Sequence, residues 1–175
     1  MLIAQMTDLH VTLPGAGTCG GAVDPGERLR RCVQVVEALD PAPDLLLLTG
    51  DLTDTGAPAE YATLLEILAA TTLPIAYAIG NHDDRVVMRR ELDLPAQAHD
   101  GPFLQYVVDA EDARVIVLDS TAVEHHLGEF CSDRLGWLIG SQRIAGGRPC
   151  WRSITRPSRR AWRCSTAPGR RGPMV

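Results

Sequence analysis

The chain is 175 residues long, 45% hydrophobic and 22% charged, with a formal net charge of −5. That allows one domain with a real core, and no stretch is long and apolar enough to span a membrane. The five cysteines (Cys19, Cys32, Cys131, Cys150, Cys164) show no close pairing, so free thiols are expected rather than a disulfide frame or a zinc knuckle.

Leu2 to Met6 is a short apolar run that predicts a first strand. It follows Met1 directly, with no basic segment before it, so no signal peptide is expected and a cytoplasmic location follows by default. Gly15 to Gly21, which includes Cys19, reads as a loop without the spacing of a phosphate-binding loop. Asp24-Pro25-Gly26-Glu27 predicts a helix start, with an N-cap acid, Pro at the first helical position and Glu at the third. Leu29, Cys32, Val33, Val36 and Leu39 follow at spacings of three and four, a helical stripe. Leu45 to Leu48 predicts a second strand. A second helix is expected from Pro58 to Ala70, with Tyr61, Leu64, Leu65 and Leu68 facing inward. Ile75 to Ile79, after Pro74, predicts a third strand, and Val86 to Leu92 a short helix. Continuous apolar runs bounded by Pro and Gly fit strands buried on both faces. His99, beside Asp100-Gly101-Pro102, reads as a surface turn. Gln105 to Val108 and Arg114 to Leu118 predict two further strands, joined by the acidic turn Asp109-Ala110-Glu111-Asp112. The β-α-β-α-β order implies an α/β class with a mainly parallel sheet.

Polar residues gather where the first three strands end. The segments are Thr7-Asp8-Leu9-His10, Gly50-Asp51-Leu52-Thr53-Asp54 and Gly80-Asn81-His82-Asp83-Asp84. Open α/β sheets bind ligands at the C-terminal ends of their strands. Oxygen and imidazole donors together suit divalent Mn, Fe, Zn or similar ions. Taken singly, Asp8 could be a turn residue, and Asp51 and Asp54 helix caps. Their joint occurrence at strand ends weighs against that reading, and Asn81-His82 after a glycine is hard to explain as core packing. The adjacent His125 and His126 invite a metal assignment but read better as part of a polar loop.

Asp8-Leu9-His10, Gly50-Asp51 and Gly80-Asn81-His82-Asp83 resemble the first motifs of the calcineurin-like metallophosphoesterases. The stretch from Met1 to Leu138 resembles the bacterial class III cyclic-nucleotide phosphodiesterase branch, notably in Thr49-Gly50-Asp51-Leu52-Thr53-Asp54-Thr55-Gly56, Glu60-Tyr61 and Gly80-Asn81-His82-Asp83-Asp84-Arg85. The resemblance implies a four-layer α-β-β-α sandwich, incomplete here at the C-terminus. It implies two divalent metal ions that activate water for in-line attack on a phosphodiester, with 3′,5′-cyclic nucleotides such as cAMP as substrates. Asp8 and His10 would bind one metal, Asp51 would bridge both, and Asn81 would bind the second. His82 would be the catalytic group beside the phosphate. Asp83, Asp84, Arg85 and His126 would support the ligands or face the substrate, with Arg85 able to pair with a nearby carboxylate. The partner implied is a small-molecule phosphodiester; a membrane is not expected, nucleic acid is disfavoured and a homodimer is open to it. The family also carries a later His-Pro-type motif and a Gly-His-x-His motif. The sequence shows neither, so the second metal site is expected to be incomplete, and an inactive metal-binding fragment is the rival reading.

The charge divides sharply. Residues 1 to 147 hold all 22 acids and nine Arg, a net −13; residues 148 to 175 hold eight Arg and no acid, a net +8. A basic nucleic-acid-binding arm is one reading of this tail. A shifted reading frame is the other. Read from the third base of each codon, Cys150-Trp151 must yield Leu, and Trp151-Arg152 yields Ala with a CGN codon. With T ending the Arg152 codon, and C ending those of Ser153, Ile154, Thr155 and Arg156, this continues as Phe-His-His-Pro-Pro, an apolar strand ending in a His pair. A frameshift between about residues 138 and 150 is therefore expected, with a metallophosphoesterase region over residues 1–147 and an Arg-rich, disordered tail over 148–175.

Overall fold

The computed structural model describes residues 1–18, 21–110, 113–122 and 128–142. His125, His126 and residues 143–175, with the expected frameshift and tail, lie outside these.

Strands β1 (Ile3–Met6), β2 (Leu45–Thr49) and β3 (Ile75–Ala78) form a parallel sheet in the order β1-β2-β3. Ile3 stands opposite Leu45, and Leu46 opposite Ile75. β2 lies at the centre and Leu45 to Leu48 are fully buried. A central strand covered on both faces needs an unbroken apolar run rather than an alternating one. Helices α1 (Pro25–Glu37) and α2 (Pro58–Leu68) make the two crossovers and pack on each other; α2 also packs on α3 (Arg85–Glu91). Right-handed crossovers between successive parallel strands place α1 and α2 on one face of the sheet.

Local chemistry sets where the helices begin. The Asp24 carboxylate accepts from the Glu27 N–H at 2.9 Å, and Pro25 opens α1. At α2 the N-cap is Ala57, which has no capping side chain. Glu60 replaces it: its buried carboxylate accepts the N–H groups of Thr55 and Ala57 and the Thr55 hydroxyl.

The inward faces differ from the predicted stripes. In α1, Leu29 and Val33 are buried while Cys32 is exposed, and Leu39 lies beyond the helix end and is also exposed. The helix contributes only a narrow i, i+4 stripe because it stops at Glu37. In α2, Ile67 joins Tyr61, Leu64 and Leu68 in the core, and Leu65 is only partly covered.

β4 (Tyr106–Asp109) and β5 (Arg114–Val117) pair antiparallel in a second sheet. Tyr106 joins it to the first. Its buried hydroxyl accepts from the Tyr77 N–H at 2.7 Å and donates to the Tyr77 carbonyl at 2.8 Å. Both groups belong to the open edge of β3, so one side chain satisfies them where a further strand otherwise would. Burial pushes the Tyr106 hydroxyl pKa well above its ordinary value. A 3-10 turn (Ala96–His99) leaves His99 exposed, as its sequence setting predicts. Helix α4 (Ser132–Ser141) has no counterpart among the predicted elements. Gly136 and Gly140 interrupt its pattern, and Leu135 and Ile139 remain exposed, so it carries little apolar signal. The described residues thus form an α/β domain with parts of two sheets.

Candidate metal centre

The backbone turns sharply after β1 and β2. Asp8 (φ 55°), His10 (φ 44°) and Asp51 (φ 48°) are the non-glycine residues with positive φ among the described residues. Asp and His tolerate this left-handed region better than most residues, yet each instance costs about 1–3 kcal/mol and tends to mark functional sites. Neighbouring hydrogen bonds hold the strained turns. Asp8 N–H donates to the Gly50 carbonyl at 3.2 Å, His10 N–H to Asp51 at 2.9 Å, and Val11 N–H to Leu52 at 3.1 Å. The segments after β1 and β2 therefore run side by side beyond the sheet. The segment after β3 comes closer still. A Cβ on Gly80 would fall 2.1 Å from the Asp51 nitrogen and 2.2 Å from its Oδ1, so only glycine admits Asp51 there.

This brings His10, Asp51 and His82 together, each offering one ligand atom, all within 4.8 Å of one another. His10 Nε2 lies 3.8 Å from Asp51 Oδ2. The two imidazoles meet edge to face with centroids 4.6 Å apart. The other Asp51 oxygen accepts the His82 N–H at 3.0 Å. His82 Nδ1 lies 2.7 Å from the Asp54 carbonyl. A carbonyl only accepts, so Nδ1 carries the proton and a neutral ring keeps its lone pair on Nε2. The Asp54 carbonyl, and then the charges of Asp51, Asp54 and Asp83, raise the His82 pKa against the opposing effect of burial.

These residues fit a divalent cation. Asp51 and the two imidazoles bring an oxygen and ring nitrogens within 4.8 Å of one another, and such ions accept mixed N/O donors. Asp8 is exposed and takes the Thr7 hydroxyl at 2.6 Å; it does not join the trio. With His10 and Asp54 it lines a cavity of about 630 Å³ that runs toward Arg28 and Cys32 of α1. Asn81 is exposed between Gly80 and His82.

The remaining candidates are tied into the frame. Asp83 accepts from the N–H groups of Leu52, Thr53 and Gly80 and from the hydroxyls of Thr53 and Tyr61. It thus bolts the turn carrying Asp51 to the turn carrying His82. Burial pushes its carboxyl above the ordinary range, and these donors pull it back. Asp84 caps α3 through the Val86 and Val87 N–H groups. Arg85 forms a bidentate pair with the fully buried Asp119, at 2.6 and 2.9 Å, and also donates to Thr121. Asp119 is the neighbouring carboxylate that the sequence left unidentified. Sequence reasoning also assigned Asp54 no role in the site, although it lies within a motif at a strand end. Its place in Gly50-Asp51-Leu52-Thr53-Asp54, three residues after a candidate ligand, was the available signal.

Comparisons with known proteins identify the family. The sequence profile of the calcineurin-like phosphoesterases matches residues 1–143. A protein of Rhodococcus erythropolis named "Probable cyclic nucleotide phosphodiesterase" is 39% identical, over 78% of this chain and 45% of its own length. A Mycobacterium tuberculosis protein named as a cAMP/cGMP dual specificity phosphodiesterase is 33% identical, over 78% of this chain and 43% of its own. An Arcobacter nitrofigilis protein named "Probable glycerophosphodiester phosphodiesterase GpdQ" is 30% identical, over 79% of this chain and 50% of its own. The chain spans about half the length of the curated relatives it matches.

Proposed function

Because this chain belongs to the calcineurin-like phosphoesterase family, we propose that its strand-end cluster serves a metal-dependent phosphodiesterase acting on small phosphodiesters, 3′,5′-cyclic nucleotides such as cAMP foremost. The observation that carries this reading is the coincidence of strain and chemistry: among the described residues, Asp8, His10 and Asp51 are the non-glycine residues held at positive φ. Relatives named for cyclic nucleotides favour that substrate class; the relative named for glycerophosphodiesters supports those as the second choice.

Asp8, His10, Asp51 and Asn81 are the residues that would hold the two divalent ions. Such ions supply Lewis acidity at the phosphate and lower the pKa of water toward neutrality. The protein's own residues do the rest. Asp51 also fixes the main chain of His82. With Nδ1–H on the Asp54 carbonyl, a protonated His82 presents a second proton at Nε2, either to steady the phosphate charge or to pass to the departing alkoxide. The raised pKa of His82 suits that role. Asp83 keeps the two turns in register, and Arg85 with Asp119 fixes the start of α3 behind them. His126 is proposed to face the substrate.

The His of the later His-Pro-type motif is proposed to be encoded in the shifted frame around residues 150–157, with one metallophosphoesterase region over 1–147. DNA sequencing through this segment tests that point; an intact frame with other codons overturns it. For the enzyme, the test is hydrolysis of bis(p-nitrophenyl) phosphate and of cAMP with added Mn²⁺. Turnover that Asp51→Ala abolishes is expected. No turnover by the parent chain, or turnover untouched by Asp51→Ala, overturns the reading for this chain.

A further inference from the structure

We propose that the cavity beside the strand-end cluster is a base pocket, and that Arg28 on its wall selects guanine over adenine among cyclic nucleotides. The cavity holds about 630 Å³ and reaches from Asp8, His10 and Asp54 to Arg28. Ligand pockets span roughly 300–1,000 Å³ and combine apolar walls with a few polar groups. Met6, Leu9, Val23, Pro25 and Leu29 supply such walls here. They suit a flat heteroaromatic ring better than a second anionic group, which gains nothing from apolar surroundings. His10 belongs to both the trio and the cavity, so a phosphodiester held at the trio has the cavity beside it for its organic part.

The arginines of α1 differ in what they meet. Arg30 and Arg31 pair with Glu27, at 3.9 and 2.9 Å. Arg28 is exposed, and its guanidinium has no hydrogen bond or ion pair among the described residues. It lines the cavity, and neither Arg30 nor Arg31 does. Its main chain is fixed in the first turn of α1 by the Asp24 carbonyl, which accepts the Arg28 N–H at 3.2 Å. A guanidinium carries donors and no acceptor. Guanine presents O6 and N7 as adjacent acceptors that a guanidinium meets with two parallel bonds, whereas adenine sets an amino donor beside N7 at that edge. The inference rests on the phosphodiesterase reading, which places the phosphate at the trio, and adds which base the site prefers.

The experiment is calorimetric titration of the full-length chain, with Mn²⁺ present, against slowly hydrolysed phosphorothioate analogues of cGMP and cAMP. The parent chain is expected to bind the guanine analogue about 5–10-fold more tightly, the low end for a bidentate base contact because Arg28 is exposed. Arg28→Gln offers one donor and one acceptor, the pattern that N7 and the amino group of adenine match. It should reverse the preference, and Arg28→Ala should abolish it. The Arg28 guanidinium bonds to none of the described residues, so both variants should keep the parent's thermal unfolding midpoint. A parent chain that binds both analogues alike, or neither, overturns the proposal, as does a guanine preference that survives Arg28→Gln. Hydrolysis of bis(p-nitrophenyl) phosphate, which has no purine, is measured alongside. Its turnover by a parent chain without base preference overturns the assignment of Arg28 alone. A guanine preference that Arg28→Gln reverses, in a chain that hydrolyses nothing, supports Arg28 and overturns the phosphodiesterase reading.

Discussion

Two polar clusters lie beyond strand ends of this fold and both centre on aspartate, yet they are built in opposite ways. Around Asp119 the carboxylate is fully buried and receives Arg85 in two parallel bonds, the Leu104 N–H, and the Thr121 N–H and hydroxyl. Its acceptor capacity is met, and it joins α3 to the segment after β5. At the ends of β1 and β2, the backbone is strained at Asp8, His10 and Asp51, the side chains reach solvent, and ligand atoms of His10, Asp51 and His82 gather within 4.8 Å of one another. Satisfied charge holds a fold together, whereas strained, accessible acceptors are kept for a ligand.

Substitutions at the centres of the two clusters should separate stability from binding. The largest expected effect is functional. Asp51→Gly relieves the positive φ, so thermal unfolding should stay within about 1 kcal/mol of the parent. Mn²⁺ affinity and phosphodiester hydrolysis should fall by more than the roughly 100-fold that an outer partner costs. Calorimetric unfolding and metal titration together check this. Asp119→Ala should do the reverse. It leaves the Arg85 guanidinium, only 20% exposed, without its partner, and should cost about 3 kcal/mol in urea unfolding. Mn²⁺ binding per folded molecule should remain.

Acid should sharpen the same contrast. Burial alone would raise the Asp119 carboxyl, but Arg85 and the Leu104 and Thr121 donors carry it below its ordinary value. A depressed folded pKa stabilises the protein above the unfolded pKa of about 3.9. That contribution is lost as pH falls through the lower, folded value. Asp119→Asn should therefore flatten the fall in stability on the acid side of about pH 4, measured by urea midpoints across pH. The smallest expected effect is at Tyr61, which donates to Asp83 at 3.0 Å. Tyr61→Phe should cost about 1.5 kcal/mol, as befits one hydrogen bond to a charged group.

The frame was largely readable from sequence because its signals are local. Leu45 to Leu48 announce a doubly covered strand, and Asp24-Pro25 announces a helix start that the Asp24–Glu27 bond fulfils. α4 was not readable, because two glycines and a weakly buried face leave no periodic signal. The edge contact of Tyr106 with Tyr77 is a tertiary match between residues 29 apart, and nothing in either neighbourhood announces it. Within the site, residue types were legible and duties were not. Asp83 and Asp84 are adjacent and chemically identical, yet one bolts two turns together and the other caps α3. Only backbone geometry separates them. The left-handed turns at Asp8, His10 and Asp51 were equally hidden, since the positive-φ positions themselves hold Asp and His rather than glycine.

The most direct test of the central claim is calorimetric titration of the full-length chain with Mn²⁺. The account predicts saturable binding that His10→Ala and Asp51→Gly each abolish and that Asp119→Asn retains. Binding that survives both ligand substitutions, or no binding by the parent chain, would contradict it.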